Sequence, residues 1–370
     1  MAKLQQLQKM GQSVWYDNIA RRLLKTGEMQ RLIDLGVTGV TSNPSIFEKA
    51  ISGSGDYDDD LQALSARGLE AAAIYENLIL SDIREAADLL RPVYERTRAA
   101  DGYVSLEPRP ALAYDTDGTI AEIRHLYHAL ELRPNVMLKV PGTPPGIQAV
   151  QALIGEGINI NITLMFSVSH YNAVSEAYMS GLERLAASGG DLSKVASVAS
   201  FFVSRVDTSV DGQLQELIDG GRGELKALLG KAGIANAKLA FRRYEQVMRS
   251  ERFAALREKG ARVQRVLWAS TSTKNPAYSD VMYVEGLIGP GTINTMPAET
   301  LGAFLDHGAV APSLQAGLDE AERTIKALAS AGVDMNKVTE DLQVDGVRLF
   351  GDSLDKLIAG IKEKQRLLAI

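Results

Sequence analysis

Lys139 sits in the apolar run Val-Met-Leu-Lys-Val (136–140). A cation is expensive to bury there, so this side chain either snorkels from an edge strand, where lysine guards against unwanted pairing, or works as an uncharged amine. An uncharged lysine attacks carbonyl carbon, and the Schiff base it forms is an electron sink that lets an adjacent C–C bond break. Such chemistry needs an acid/base beside the amine for carbinolamine formation and dehydration. It also needs a base for the proton of the hydroxyl at the bond that breaks. Two carboxylates stand at the ends of other apolar runs, Asp17 and Glu107, the latter fixed at its strand tip by Pro108. Each could equally be a helix cap or a loop charge. Asn161 and Thr163, two apart in Ile-Asn-Ile-Thr, share one strand face. Two inward polar residues cost free energy unless they pair, so they either orient a water or a substrate hydroxyl or bond to a neighbouring strand.

The elements that must hold these groups alternate. Short apolar or β-branched runs at Ser13–Asp17, Gly39–Ser42, Tyr103–Glu107, Val136–Val140, Asn159–Thr163, Val195–Phe201, Val263–Thr271 and Thr292–Met296 are each followed by a longer stretch of helical period. Leu61–Arg91 and Tyr171–Ala187 are amphipathic, and the charged segment Gln213–Gly260 has room for two or three helices. Ser313–Ala329 and Thr339–Leu368 read as helices with no further strand to support, expected to pack against the outside. Eight βα units predict an α/β fold, a (β/α)8 TIM barrel with extra helices after strand 6 (about 212–262) and at the C-terminus (about 313–370), all within one domain, 1–370. A doubly wound open sheet would carry a glycine-rich phosphate turn after its first strand, and none is present. A closed barrel has no edges, which favours the functional lysine over the edge guard. It also puts chemistry at the carboxyl ends of the strands, where Asp17, Asn43, Glu107, Lys139, Asn161, Thr163, Ser200 and the cluster Ser270–Lys274 fall.

Composition narrows the chemistry further. The 370 residues include no cysteine, which removes thiolate metal sites, disulfides and a cysteine nucleophile. The four histidines (His125, His128, His170 and His307) form no HExxH pair, so no metal is expected. The acidic run Asp56, Asp58, Asp59, Asp60 lacks the glycine and glutamate of a calcium loop and reads as a charged helix start. A net charge of -6 argues against nucleic-acid or anionic-membrane surfaces. The first residues lack a signal-peptide apolar core and no stretch is long enough to span a bilayer, so a cytoplasmic location is expected. Without a Walker or GxGxxG motif, any phosphate must be held by Arg, Lys, hydroxyls and backbone N–H groups.

Five segments carry a family resemblance: Val-Thr-Ser-Asn-Pro-Ser-Ile-Phe (40–47), Leu-Lys-Val-Pro-Gly-Thr (138–143), Asn-Ile-Thr-Leu-Met-Phe-Ser (161–167), Ser-Phe-Phe-Val-Ser-Arg (200–205) and Trp-Ala-Ser-Thr-Ser-Thr-Lys-Asn-Pro (268–276). In this order they resemble transaldolase, in particular its longer bacterial and plant-like subgroup. The resemblance implies an α/β barrel and cofactor-independent transfer of a dihydroxyacetone unit in the pentose phosphate pathway. Its substrates would be the sugar phosphates sedoheptulose 7-phosphate, glyceraldehyde 3-phosphate, erythrose 4-phosphate and fructose 6-phosphate. It further implies that Lys139 is the Schiff-base lysine, Glu107 the acid/base acting through a water held by Thr163, and Asp17 the base for the hydroxyl at the cleaved bond. Asn43, Asn161 and Ser200 would hold the dihydroxyacetone hydroxyls, and Arg205, Ser272 and Lys274 the phosphate. The shorter enzymes read Ser-Pro-Phe-Val-Gly-Arg and Ser-Phe-Arg-Asn at the last two places; here lysine at 274 keeps the charge and loses arginine's fork. Two alternatives stand beside this expectation: a Schiff-base aldolase that releases free dihydroxyacetone, and a barrel that binds phosphosugars without catalysis. Arg205 could also merely pair with Asp207 at the surface.

Overall fold

In a computed structural model, which describes residues 2–368, the β-branched and aromatic runs form eight strands. These are β1 (Gln12–Tyr16), β2 (Val37–Thr41), β3 (Tyr103–Leu106), β4 (Val136–Pro141), β5 (Ile160–Met165), β6 (Ser197–Phe202), β7 (Arg265–Ala269) and β8 (Thr292–Met296). Each pairs in parallel with its sequence neighbours, and β1 against β8 closes the ring, giving the expected (β/α)8 barrel. Residues 1 and 369–370, the ends of the expected domain, lie outside the described residues.

Alternation along each strand sends one residue set inward. Trp15 fills the barrel axis, and a Cβ at residue 39 of β2 would fall 2.5 Å from its indole, so only glycine fits there. The indole Nε1 donates to Asp101 at 2.6 Å, and Arg265 donates to Ser13 Oγ at 2.7 Å. This layer lies at the amino end of the barrel, below the cavity described next, and borders a smaller void of about 270 Å³.

Several elements differ from the expectation for local reasons. The stretch Leu61–Arg91 is two helices, Asp58–Ala66 and Ala71–Arg96, because Gly68 takes a left-handed conformation (φ 77°) between them. The acidic run does start the first of these. Strand β7 stops at Ala269 and not at Thr271, since Ser270 turns to φ 55°. The crossover after β6 holds helices Ser204–Asp219, Ala232–Met248 and Glu251–Glu258 with a short 3-10 turn, Gly223–Leu228.

The final helix, Met335–Leu368, does more than pack outside the barrel. It runs along the helices that follow β2 and reaches the carboxyl ends of β4 and β5, where Gln343 Nε2 donates to Gly142 O at 3.0 Å and Leu164 O at 2.9 Å. Ser353 meets Ser45 at 2.7 Å, and Lys364 bonds Asp58 at 2.7 Å. The helix is therefore pinned along much of its length, and Phe350 is turned into the barrel mouth.

Candidate active site

At the carboxyl end the barrel opens into a cavity of about 580 Å³, lined from every strand tip except β3 and within the range of small-molecule sites. Asp17, Asn43, Lys139, Thr163, Ser200, Arg205, Ser272 and Lys274 line it, so the structure brings these separated residues together. Glu107 stands behind Lys139, beside a smaller adjoining void that it shares with Phe350.

Lys139 Nζ donates to Glu107 Oε2 at 2.9 Å and to Ser42 O at 3.0 Å. Both side chains are buried, at 6% and 4% exposure, so little water screens the pair. Burial pushes the Glu107 carboxyl above the usual carboxylate range, while the Lys139 ammonium and its hydrogen bond pull it down. Asp17 accepts from Thr41 Oγ1 at 2.6 Å, and Thr41 of β2 meets Thr295 of β8, past the tip of β1, at 2.6 Å. Burial raises the Asp17 carboxyl too, opposed by that hydrogen bond and by Lys139, Lys274 and Arg205.

The polar pair of β5 divides. Asn161 is fully buried, gives its amide N–H to Ser105 Oγ at 3.0 Å and accepts from Ser200 Oγ at 2.7 Å. It bonds the neighbouring β6 through Ser200, one of the two roles open from sequence, reaches past β4 to Ser105 of β3, and is not among the residues lining the cavity. Thr163 Oγ1 is buried and makes no hydrogen bond, an orphan hydroxyl in a residue that lines the cavity. Asn43 caps helix Pro44–Ser52, its Oδ1 accepting from Ile46 N at 3.0 Å.

Arg205, in the first turn of the helix after β6, does not pair with Asp207. That carboxylate instead accepts from Gly233 N at 2.7 Å and Tyr283 Oη at 2.8 Å. The Arg205 guanidinium lies 5.5 Å from the Phe202 ring centroid and 6.0 Å from that of Phe350. Lys274 Nζ donates to Ser272 Oγ, two residues earlier in the same loop after β7, at 2.7 Å.

Several contributors escaped sequence reasoning, among them Thr41, Thr295, Phe202, Ser105, Ser42 and Phe350. Ser105 carried a signal, since the period of two in Tyr103–Glu107 puts it on the face of Glu107. Ser42 contributes a backbone carbonyl, which no side-chain pattern reveals. Phe350 lies in a helix with no strand tip nearby in sequence.

A parallel barrel whose mouth gathers a buried lysine, two raised carboxylates and two cations is an arrangement that can perform carbonyl chemistry on anionic substrates. The family model described as "Transaldolase/Fructose-6-phosphate aldolase" matches residues 14–361, and the chain belongs to that family. It is 45% identical to Transaldolase 2 of Nostoc sp. strain PCC 7120 over 99% of this chain and 98% of that protein. Against transaldolase of Thiobacillus denitrificans it is 48% identical, over 95% of this chain and 98% of the other. For transaldolase of Mycolicibacterium smegmatis the identity is 46%, over 95% and 94%. Transaldolase activity, a group transfer, follows for this chain. Among the described residues no helix is long and apolar enough to cross a membrane.

Proposed function

We propose that the protein moves a dihydroxyacetone unit from sedoheptulose 7-phosphate to glyceraldehyde 3-phosphate, giving erythrose 4-phosphate and fructose 6-phosphate, through a Schiff base on Lys139. The observation that carries this is the buried 2.9 Å contact of Lys139 with Glu107 in the mouth of the barrel. Glu107 takes the ammonium proton, and the free amine attacks the ketose carbonyl carbon. The carbinolamine then loses its hydroxyl as water with a proton from Glu107, and the orphan hydroxyl of Thr163 is suited to hold that water. Asp17 accepts the proton of the hydroxyl at the breaking bond while the C–C electron pair moves into the iminium, and the first aldehyde leaves. The resulting enamine attacks the aldehyde carbon of the acceptor, Asp17 returns the proton to the new hydroxyl, and water hydrolyses the product imine.

Asn43, Asn161 and Ser200 are the groups for the dihydroxyacetone hydroxyls, Asn161 by exchanging its bond with Ser200. Arg205, Lys274 and Ser272 serve the phosphate, arginine by two parallel N–H bonds and lysine as a point charge. The cycle uses neither metal nor cofactor, and its place is the pentose phosphate pathway of the cytoplasm. Lys139, Glu107 and Asp17 occur together, which speaks against a barrel that only binds.

The test is fructose 6-phosphate with and without erythrose 4-phosphate. Sedoheptulose 7-phosphate formed only when the acceptor is present supports transfer, whereas free dihydroxyacetone released at a comparable rate without acceptor would make the protein an aldolase. Borohydride added to the donor reaction should leave a dihydroxyacetone-derived mass on the peptide containing Lys139, and labelling at another lysine would sink the assignment.

A further inference from the structure

Arg205 is held by rings where an arginine in a cleft would ordinarily find a carboxylate. Among the described residues it joins no ion pair; Asp17, Glu107 and Asp345 act on it only from a distance. An aromatic face attracts a cation through its quadrupole but carries no net charge. It can therefore orient a guanidinium without neutralising it. One ring, Phe202, comes from β6 close by in the chain. The other, Phe350, is brought by the terminal helix, is 4% exposed and also lies 5.7 Å from Lys139 Nζ.

The placement of Phe350 is built rather than loose. Gln343 bonds the carbonyls of Gly142 and Leu164 on one side of it, and Ser353 bonds Ser45 on the other. Between these anchors Gly346 lets the helix approach so closely that a Cβ would fall 2.7 Å from Leu164 Cδ2.

We propose that Phe350 is a positioning residue for substrate phosphate: its ring holds Arg205 toward the cavity with its charge uncompensated, and so selects phosphorylated sugars. This rests on Arg205 being the phosphate ligand, as proposed above. A carboxylate in the place of Phe350 would hold the guanidinium equally well but would repel a phosphate dianion and leave Arg205 neutralised.

The test compares Phe350→Leu, which keeps an apolar side chain and removes the π face, with Phe350→Tyr, which keeps the ring. Phe350→Met serves if the leucine variant does not fold. Three quantities are measured for each: kcat and KM with fructose 6-phosphate, kcat/KM with unphosphorylated fructose, and the inhibition constant of inorganic phosphate. The leucine variant should raise both the KM for fructose 6-phosphate and the phosphate inhibition constant by about 5–20-fold, lower kcat/KM on fructose 6-phosphate several-fold more than on fructose, and be rescued by tyrosine. An unchanged phosphate inhibition constant, or equal losses on fructose and fructose 6-phosphate, overturns the proposal. Two controls with Phe350 intact keep its failure separate from that of the underlying reading. Absence of borohydride labelling at Lys139 in the parent protein counts against the Schiff base, and Arg205→Ala with undiminished phosphate inhibition counts against Arg205 as ligand. Labelling and Arg205 dependence intact, with Phe350→Leu unchanged, count against Phe350 alone.

Discussion

A buried lysine beside a buried glutamate is costly as a fixed ion pair and useful where a proton must pass between them. Replacing Glu107 with Gln keeps the shape and removes the acceptor. Imine formation, followed as the rate of borohydride labelling, should slow by about 10²–10⁴-fold. Asp17 has a different task, so Asp17→Asn should depress turnover by a similar factor while labelling of Lys139 with fructose 6-phosphate stays detectable. Labelling that vanishes with turnover would merge the two roles. Because burial raises both carboxyls, the acid limb of kcat against pH should stand above the ordinary carboxylate range, and Asp17→Asn should remove its contribution to that limb. At this scale the positions of the lysine and both carboxylates at strand tips were legible in the sequence, the lysine as a charge within an apolar run and the carboxylates as charges after one. Ser42 was not, because its contribution is a carbonyl that any residue would possess.

Elements are where the periodic signal was strongest and where its gaps have identifiable causes. The eight strands follow from short apolar runs, yet Leu61–Arg91 kept its helical period across the break that Gly68 makes. Gly39 illustrates a position that periodicity misses. Its backbone is ordinary strand, but the indole of Trp15 occupies the space of a side chain. Gly39→Ala should cost about 1–3 kcal/mol by overpacking, read as a lowered urea midpoint with unchanged slope. Near-native stability would mean that Trp15 moves aside easily, and the barrel axis would then be looser than its packing indicates.

At the scale of the whole molecule, the titration of Asp207 ties separate elements together. Asp207, 1% exposed, accepts from Gly233 and Tyr283 and so joins the helix after β6 to the rest of its crossover and to the β7–β8 connection. Burial pushes its carboxyl up to about 6. The folded state thus holds this proton more tightly than the unfolded chain, whose aspartates titrate near 4. Stability from this group is full below pH about 4, declines as pH rises to about 6 and is constant above, a loss of about 3 kcal/mol. Asp207→Asn should flatten that portion of the unfolding free energy measured by urea between pH 4 and 7. A parallel pH dependence in parent and variant would place the titration elsewhere.

By itself the sequence determined the barrel and most of its chemical complement, because strand alternation and the closure of parallel βα units are local patterns that one chain displays directly. It also assigned Asp17, Glu107 and Lys139 to separate strand tips. The tertiary structure decided which of these touch: Lys139 meets Glu107 at 2.9 Å, whereas Asp17 is held by Thr41. It decided, too, that Asn161 turns to its neighbours while Thr163 keeps a free hydroxyl. Above all it brought Phe350 into the mouth. That contact depends on the path of a long terminal helix across the ends of β4 and β5, and no periodicity within a helix encodes which distant groove will receive its apolar face.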